Sequence, residues 1–211
     1  MNRRSLLLLA VAAGTLAATL WVGRALKGER DWSSASPALQ SILWPTPRPV
    51  ADFELTAQHG EAFRNVDLHG HWSLLYFGYL QCPDVCPTTL QTLRGVQKLL
   101  QTDGDVATRF VFVSVDPGND TPERIGAYLS FFGEGLVGLG GNPQDLAALA
   151  GSLGVMYAEH VDADGTRSMD HTTSIIVVDA QGRGVAALPG GQTPQAMAGQ
   201  LRELRMFLGE P

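Results

Sequence analysis

"HWSLLYFGYLQCPDVCPTTLQTLRGVQKLL", His71 to Leu100, decides the fold of this chain. Its first ten residues are a largely apolar run of strand length, suited to the centre of a sheet. From Thr88 onward Leu90, Leu93, Val96, Leu99 and Leu100 recur at helical spacing, so a helix follows. Between the two lie Cys82 and Cys86, the only cysteines in 211 residues, with three residues between them and each followed by a proline. A thiol pair therefore sits where a buried strand hands over to a helix.

Outward from this junction, strands and helices alternate. "ADFELTAQHGEAF" predicts two short strands around a turn at His59-Gly60, and "RFVFVSVD" a second buried strand. "TPERIGAYLSFF" predicts a helix capped by Thr121, with Pro122 at its first position and Glu123 in its first turn. "NPQDLAALAGSLG" repeats that grammar, with Asn142 as cap and Gly154 as stop. "VMYAEHVD" and "TSIIVVD" read as strands, "DAQGR" as a turn into the strand "GVAAL", and "TPQAMAGQLRELRMFL" as a closing helix. The expected class is an α/β sandwich around a mixed sheet.

Composition narrows the function. Hydrophobic content of 45% and charged content of 17% are globular values. A net charge of −6 argues against nucleic acid, because no basic stripe exists to displace counterions from phosphates. No interval repeats, which speaks against solenoids and propellers. Two cysteines make no disulfide framework, and a bridge closing so short a loop constrains the unfolded chain little.

The N-terminus points to export. "MNRRSLLLLAVAAGTLAATLWVG" carries two arginines and then no charge from Ser5 to Gly23. Nineteen residues rise about 28 Å as a helix, close to the ~30 Å hydrocarbon core of a bilayer. Residues 1–24 are expected to form a single-pass membrane anchor, with a cleaved signal as the alternative. Arg3 and Arg4 favour a cytoplasmic N-terminus, although Arg24, Lys27 and Arg30 flank the far end. "NRRSLLL" also looks like an imperfect twin-arginine export signal. The expectation is a bacterial inner (cytoplasmic) membrane protein with its C-terminal domain in the periplasm. Residues 25–50 are rich in Pro and Ser and read as a tether, stiff at Pro45, Pro47 and Pro49. Residues 51–211 form the folded domain.

Positions i and i+4 share a helical face about 6 Å apart, within disulfide reach. A helix N-terminus also favours thiolate over thiol. Such a pair can exchange disulfides, hold a soft metal such as Cu(I), or form a passive staple. The spacing is one residue longer than the Cys-x-x-Cys of thioredoxin-type oxidoreductases. Tyr79 stands where a peroxiredoxin has Thr or Ser, and a zinc ribbon needs a second Cys pair. A metal held by two cysteines and one distant ligand remains, with His59, His69, His71, His160 and His171 as candidates. His171 stands out because "SMDHTTSIIVVD" places it just before an apolar strand, in a loop that a thioredoxin-like fold brings beside the cysteine-bearing helix. Asp170 is the candidate to orient its imidazole.

"GYLQCPDVCPTTL", "SVDPGNDTPERIGAYL" and "MDHTTSIIVVDAQGR" together resemble the Sco/SenC family in order and spacing, from about Val50 to the C-terminus. The resemblance implies a membrane-anchored, thioredoxin-like copper protein that helps to assemble cytochrome c oxidase. It implies Cu(I) or Cu(II) on Cys82, Cys86 and His171, with Asp170 outside the ligand shell. It also implies a cuproprotein partner such as oxidase subunit II, and possible exchange with a second periplasmic copper chaperone or a thioredoxin-like reductant. The alternative is a thiol–disulfide reductase using Cys82 and Cys86 to keep the partner's cysteines reduced. Tyr79 and Leu80 stand where the family usually has Phe or Tyr then Thr or Ser. "DPGNDTPE", Asp116 to Glu123, also matches, but its own residues spell only a loop and a helix cap. "DADG", Asp162 to Gly165, reads as a turn, since Thr173 stands where a calcium loop needs glutamate. Met156 and Met169 are soft donors expected to serve packing.

Overall fold

A computed structural model describes residues 32–105 and 107–209. The expected anchor, residues 5–23, lies outside them. Among the described residues no helix is long and apolar enough to cross a membrane.

Among the described residues ten strands and five α-helices follow one another: α1 (Pro37–Gln40), β1 (Leu43–Pro49), β2 (Glu54–Ala57), β3 (Ala62–Arg64), β4 (Ser73–Gly78), α2 (Val85–Thr102) and β5 (Arg109–Ser114). Then come α3 (Pro122–Ser130), β6 (Leu136–Gly140), α4 (Pro143–Leu153), β7 (Tyr157–Val161), β8 (Arg167–His171), β9 (Ile175–Val178), β10 (Arg183–Leu188) and α5 (Pro194–Leu208). Eight strands form one sheet in the order β1-β10-β9-β4-β5-β6-β2-β3. β4, β5 and β6 run parallel, and β9 joins β4 antiparallel, so the sheet is mixed as expected.

β4 is buried at every position, because helices cover both faces of the sheet there. α2 packs against α5, burying Leu90, Leu93, Val96 and Leu100. On β6, α3 comes so close that a Cβ on Gly138 would stand 2.3 Å from Ile125 Cγ2. Gly138 and Gly140, whose Cβ would stand 2.7 Å from Ile125 Cδ1, make the contact possible, and they also hide β6 from a reading based on side-chain alternation. The caps fall where the sequence puts them: Thr121 Oγ1 accepts from Arg124 N–H, and Asn142 Oδ1 from Gln144 N–H. Gly154 ends α4 in the left-handed region at φ +70°.

Two segments differ from expectation. The second half of the 25–50 stretch is not a free tether, since Leu43–Pro49 is an edge strand paired antiparallel with β10. An edge strand tolerates Pro45, Pro47 and Pro49, because its outer side needs no N–H donors. "VMYAEHVD" does form a strand, β7, but it pairs only with β8, in a separate two-stranded hairpin. "DADG" is the hairpin's turn, with Gly165 N–H donating to Asp162 O and Gly165 at φ +84°.

At the far end of α5, Arg205 lies over the Trp72 ring, 5.1 Å from its centroid, and pairs with Asp105. Burial alone would raise the Asp105 carboxyl, but donors from Thr108 and the Arg205 guanidinium outweigh it and hold it below the usual aspartate range. A depressed folded value means that this stabilisation is complete above the ordinary aspartate pKa and is lost as pH falls through the folded one. Asp105→Asn should therefore cost about 1.5–3 kcal/mol at neutral pH. Denaturant titrations of both proteins should converge as the pH drops below about 4.

Candidate metal centre

β4 ends at Gly78, and a loop carries the chain through Tyr79–Asp84 into α2. A Cβ on Gly78 would stand 3.0 Å from both Cys86 Sγ and a Phe112 ring atom. The strand end and the first helical turn can pack this tightly only around glycine. Cys86, in that turn, is wholly buried; Cys82, in the loop before it, is half-buried. The two are thus not on one helical face. Their proximity comes instead from the loop folding back, so that Cys82 Sγ accepts the Cys86 N–H at 3.4 Å. Asp84 occupies the N-cap position without a side-chain cap bond, and the Cys82 sulfur takes an orphan donor in its place. Pro87 stands in the first turn, where no donor is needed.

His171 is the last residue of β8, and its Nε2 lies 3.6 Å from Cys86 Sγ. Its Nδ1 lies 3.0 Å from the Thr172 carbonyl. A carbonyl only accepts, so Nδ1 carries the proton and Nε2 presents a lone pair to the sulfur. The rings of Tyr76 and Tyr79 stand edge-on to the imidazole at 6.1 and 6.0 Å, fixing its plane. The Tyr76 hydroxyl donates to Cys86 Sγ at 3.4 Å.

Helix position favours a thiolate, but burial wins here. Burial pushes the Cys86 thiol up to about 12, against hydrogen bonds from the Tyr76 hydroxyl and the Tyr79 backbone that pull it down. Burial likewise raises the Tyr76 and Tyr79 phenols, with the cysteines adding to the effect. Cys86 is therefore a neutral thiol at pH 7, contrary to the expectation from its place at a helix start.

The structure brings together Cys82, Cys86 and His171 and leaves the other candidates elsewhere. His59 lines a separate groove, His69 lies against Gly182, and His160 pairs with Asp162 at 3.0 Å. The His71 Nδ1 is buried without a partner, outside the cysteine site. Asp170 does not hold the imidazole, since the Thr172 carbonyl does. Asp170 instead lines an outer groove beside the imidazole, together with Met156, His171 and Thr172. Met169 packs on the core as expected, but Met156 is 77% exposed and packs nothing away. Among the described residues no three His, Cys, Asp or Glu side chains form a ready metal cage. Cys86 and His171 stand 3.6 Å apart, and the Cys82 sulfur lies on the Cys86 N–H beside them. Two sulfurs and an imidazole nitrogen fit a soft or borderline ion such as copper.

The fold is a thioredoxin-like α/β domain, and in it His171, distant in the chain, lies 3.6 Å from one sulfur of a Cys-x-x-x-Cys pair. The SCO1/SenC family model matches residues 45–205, and the chain belongs to that family. A putative copper-binding protein of Stutzerimonas stutzeri is 32% identical over 180 residues, covering 85% of this chain and 83% of its own. A SCO2-like protein of Rickettsia conorii is 35% identical over 153 residues, covering 72% of this chain and 74% of its own. The copper-bound structure of ScoI from Bradyrhizobium japonicum superposes with a TM-score of 0.66 at 38% identity, covering 73% of this chain and 98% of that one.

The asymmetry of the pair has a direct consequence. In the reduced, metal-free protein, iodoacetamide at pH 7.5 should modify Cys82 and leave Cys86 untouched until the chain is denatured. Peptide mapping after timed quenching reads this, and equal labelling of both thiols would refute the buried neutral Cys86.

Proposed function

We propose that the chain is a copper-binding assembly factor that delivers copper to the CuA site of cytochrome c oxidase subunit II. Cys82, Cys86 and His171 are its ligands. The observation that carries the reading is the 3.6 Å approach of His171 Nε2 to Cys86 Sγ, with Cys82 Sγ beside the same helix turn. Family membership supports it, as does the copper in the Bradyrhizobium japonicum relative. Another relative, BsSco, is described as a member of the Sco family of cytochrome c oxidase assembly proteins, although its 21% identity speaks only for the shared fold.

Copper is cargo here, and a three-ligand S₂N site leaves room for an incoming donor from the recipient. Cys82 is the ligand to exchange first, because it is half-exposed and stands on a loop, while Cys86 and His171 are held within packed elements. Residues 5–23 would anchor the domain to the bacterial inner membrane with the domain in the periplasm. A second periplasmic copper chaperone would load the site, and a thioredoxin-like reductant would keep its thiols reduced.

The same exposure difference favours one further reading, a thiol–disulfide reductase. An exposed Cys82 would attack a partner disulfide and a sheltered Cys86 would resolve the mixed disulfide. His171 is dispensable for that chemistry and required for three-ligand copper binding, so it separates the two.

The full chain, purified reduced and offered Cu(I) and Cu(II) separately, should bind one copper. Cys82→Ala should lose both ions, and His171→Ala should lose chiefly Cu(II), since two sulfurs suffice for Cu(I). Copper content by atomic absorption checks this. Unchanged binding of both ions by His171→Ala would refute the ligand assignment. Absence of copper with two titratable thiols would leave the reductase.

Because burial pushes the Cys86 thiol up to about 12, a metal on its sulfur would displace a proton throughout the physiological range. Apparent copper affinity should therefore fall at least about tenfold for each unit that pH drops below 8. Competition against a chelator of known affinity between pH 6 and 8 measures the slope.

A further inference from the structure

"DPGNDTPE" gives the sequence a loop and a helix cap, but the structure adds a buried carboxyl that neither accounts for. Asp120 is 1% exposed. Its Oδ2 accepts two donors: the Ser114 hydroxyl at 2.7 Å and the Leu80 backbone N–H at 3.1 Å. Its Oδ1 is buried with no partner. Burial raises this carboxyl above the usual range, despite the Ser114 and Leu80 donors. Burying such a group is costly, and an aspartate is not needed to turn a loop that Thr121 already caps.

What the carboxyl reaches explains its presence. Leu80 lies two residues before Cys82, in the loop between β4 and α2. Within that loop the Cys82 N–H contacts the Tyr79 carbonyl at 3.4 Å, a long bond for a segment that must place a ligand. Asp120 itself stands on a cross-braced segment. Its N–H donates to Asp116 O at 2.9 Å, and the Asn119 amide donates to both Asp116 carboxyl oxygens at 3.0 and 2.9 Å. The Asp116 N–H donates to the Ser114 hydroxyl at 3.1 Å, and Val115 N–H to Gly78 O at 2.8 Å. The brace thus runs from the end of β5 to the last residue of β4, and Asp120 extends it past the strand end into the cysteine loop.

We propose that Asp120 is the positioning residue of this site: through Oδ2 it fixes the Leu80 amide, and so sets where Cys82 Sγ stands relative to Cys86 and His171. The anchor is the placed acceptor oxygen, not the negative charge. Only the metal half of its test rests on the copper reading; the thiol half stands without it.

The test uses the full reduced chain and two readouts: the alkylation rate of Cys82 in metal-free protein, and the rate at which bicinchoninate removes bound Cu(I). Asp120→Ala frees the loop and should speed both by about tenfold, the scale of one hydrogen bond. Asp120→Asn keeps an oxygen in place and should stay within about twofold of wild type on both. A general loosening would lower the melting temperature without moving Cys82 alkylation, and that result would overturn the proposal. Asp120→Asn matching Asp120→Ala would overturn it too, by showing that charge is what counts. Should Asp120→Ala not fold, Ser114→Ala removes the hydroxyl that holds Oδ2 and should shift Cys82 in the same direction by at least about threefold; no shift there refutes the idea. Failure of wild type to take up Cu(I) would sink the copper reading alone, leaving the alkylation comparison to judge Asp120.

Discussion

The contact between Gly78 and Cys86 governs this molecule. β4 is buried along its whole length, and α2 must start directly off its end. A side chain at position 78 would meet Cys86 Sγ and Phe112 at once. Without one, the first helical turn sinks into the core and takes Cys86 with it. The sulfur is then surrounded by Tyr76, Phe112 and His171 and has no water to stabilise a charge. Its neutrality at pH 7 follows from packing, as does its meeting with the imidazole. Cys82 escapes the same fate because Pro83 and Asp84 lie between it and the helix, outside the packed layer.

Much of this was legible in the sequence. The central strand, the helix after it, the caps at Thr121 and Asn142 and the stop at Gly154 come from local chemistry that tertiary packing did not override. The cysteine pair and His171 were visible because each flanks an apolar run that could only be a buried strand. β6 stayed hidden since Gly138 and Gly140 erase the alternation that marks a strand, for a reason that lies in α3 and not in β6 itself. β1 hid behind three prolines, which rule out a central strand but not an edge one.

The site residues that escaped the sequence did so for a different reason. Asp170 adjoins His171 in the chain and lines the same outer groove, yet the imidazole Nδ1 turns to a backbone carbonyl instead of that carboxylate. Thr172 does the orienting through its carbonyl, a group every residue carries and no sequence can flag. Asp120 was present in a quoted motif, but its contact with Leu80 spans forty positions and depends on how β5 returns beside β4. The Cys86 thiol was misjudged because a helix N-terminus stabilises an anion by a modest, near-surface effect, while full burial removes the hydration of that anion altogether.

These features bear on how a site can hold an ion firmly and still give it up. Cys86 and His171 belong to the sheet-and-helix layer and are held in register by Tyr76, Tyr79 and the Thr172 carbonyl. Cys82 belongs to a loop whose backbone is tied from outside by one carboxyl oxygen, and whose sulfur is parked on a helix N–H. On the proposed copper function, that loop sulfur is the donor that can move while the core pair stays in place. A site with all three donors locked in the core would bind more tightly but offer an incoming partner no ligand to displace. One that left both cysteines on the loop would exchange freely but surrender the buried thiol's demand that a proton leave before anything binds. Dividing the donors between core and loop keeps both properties, and the strand-to-helix switch after Gly78 is where this fold makes that division possible.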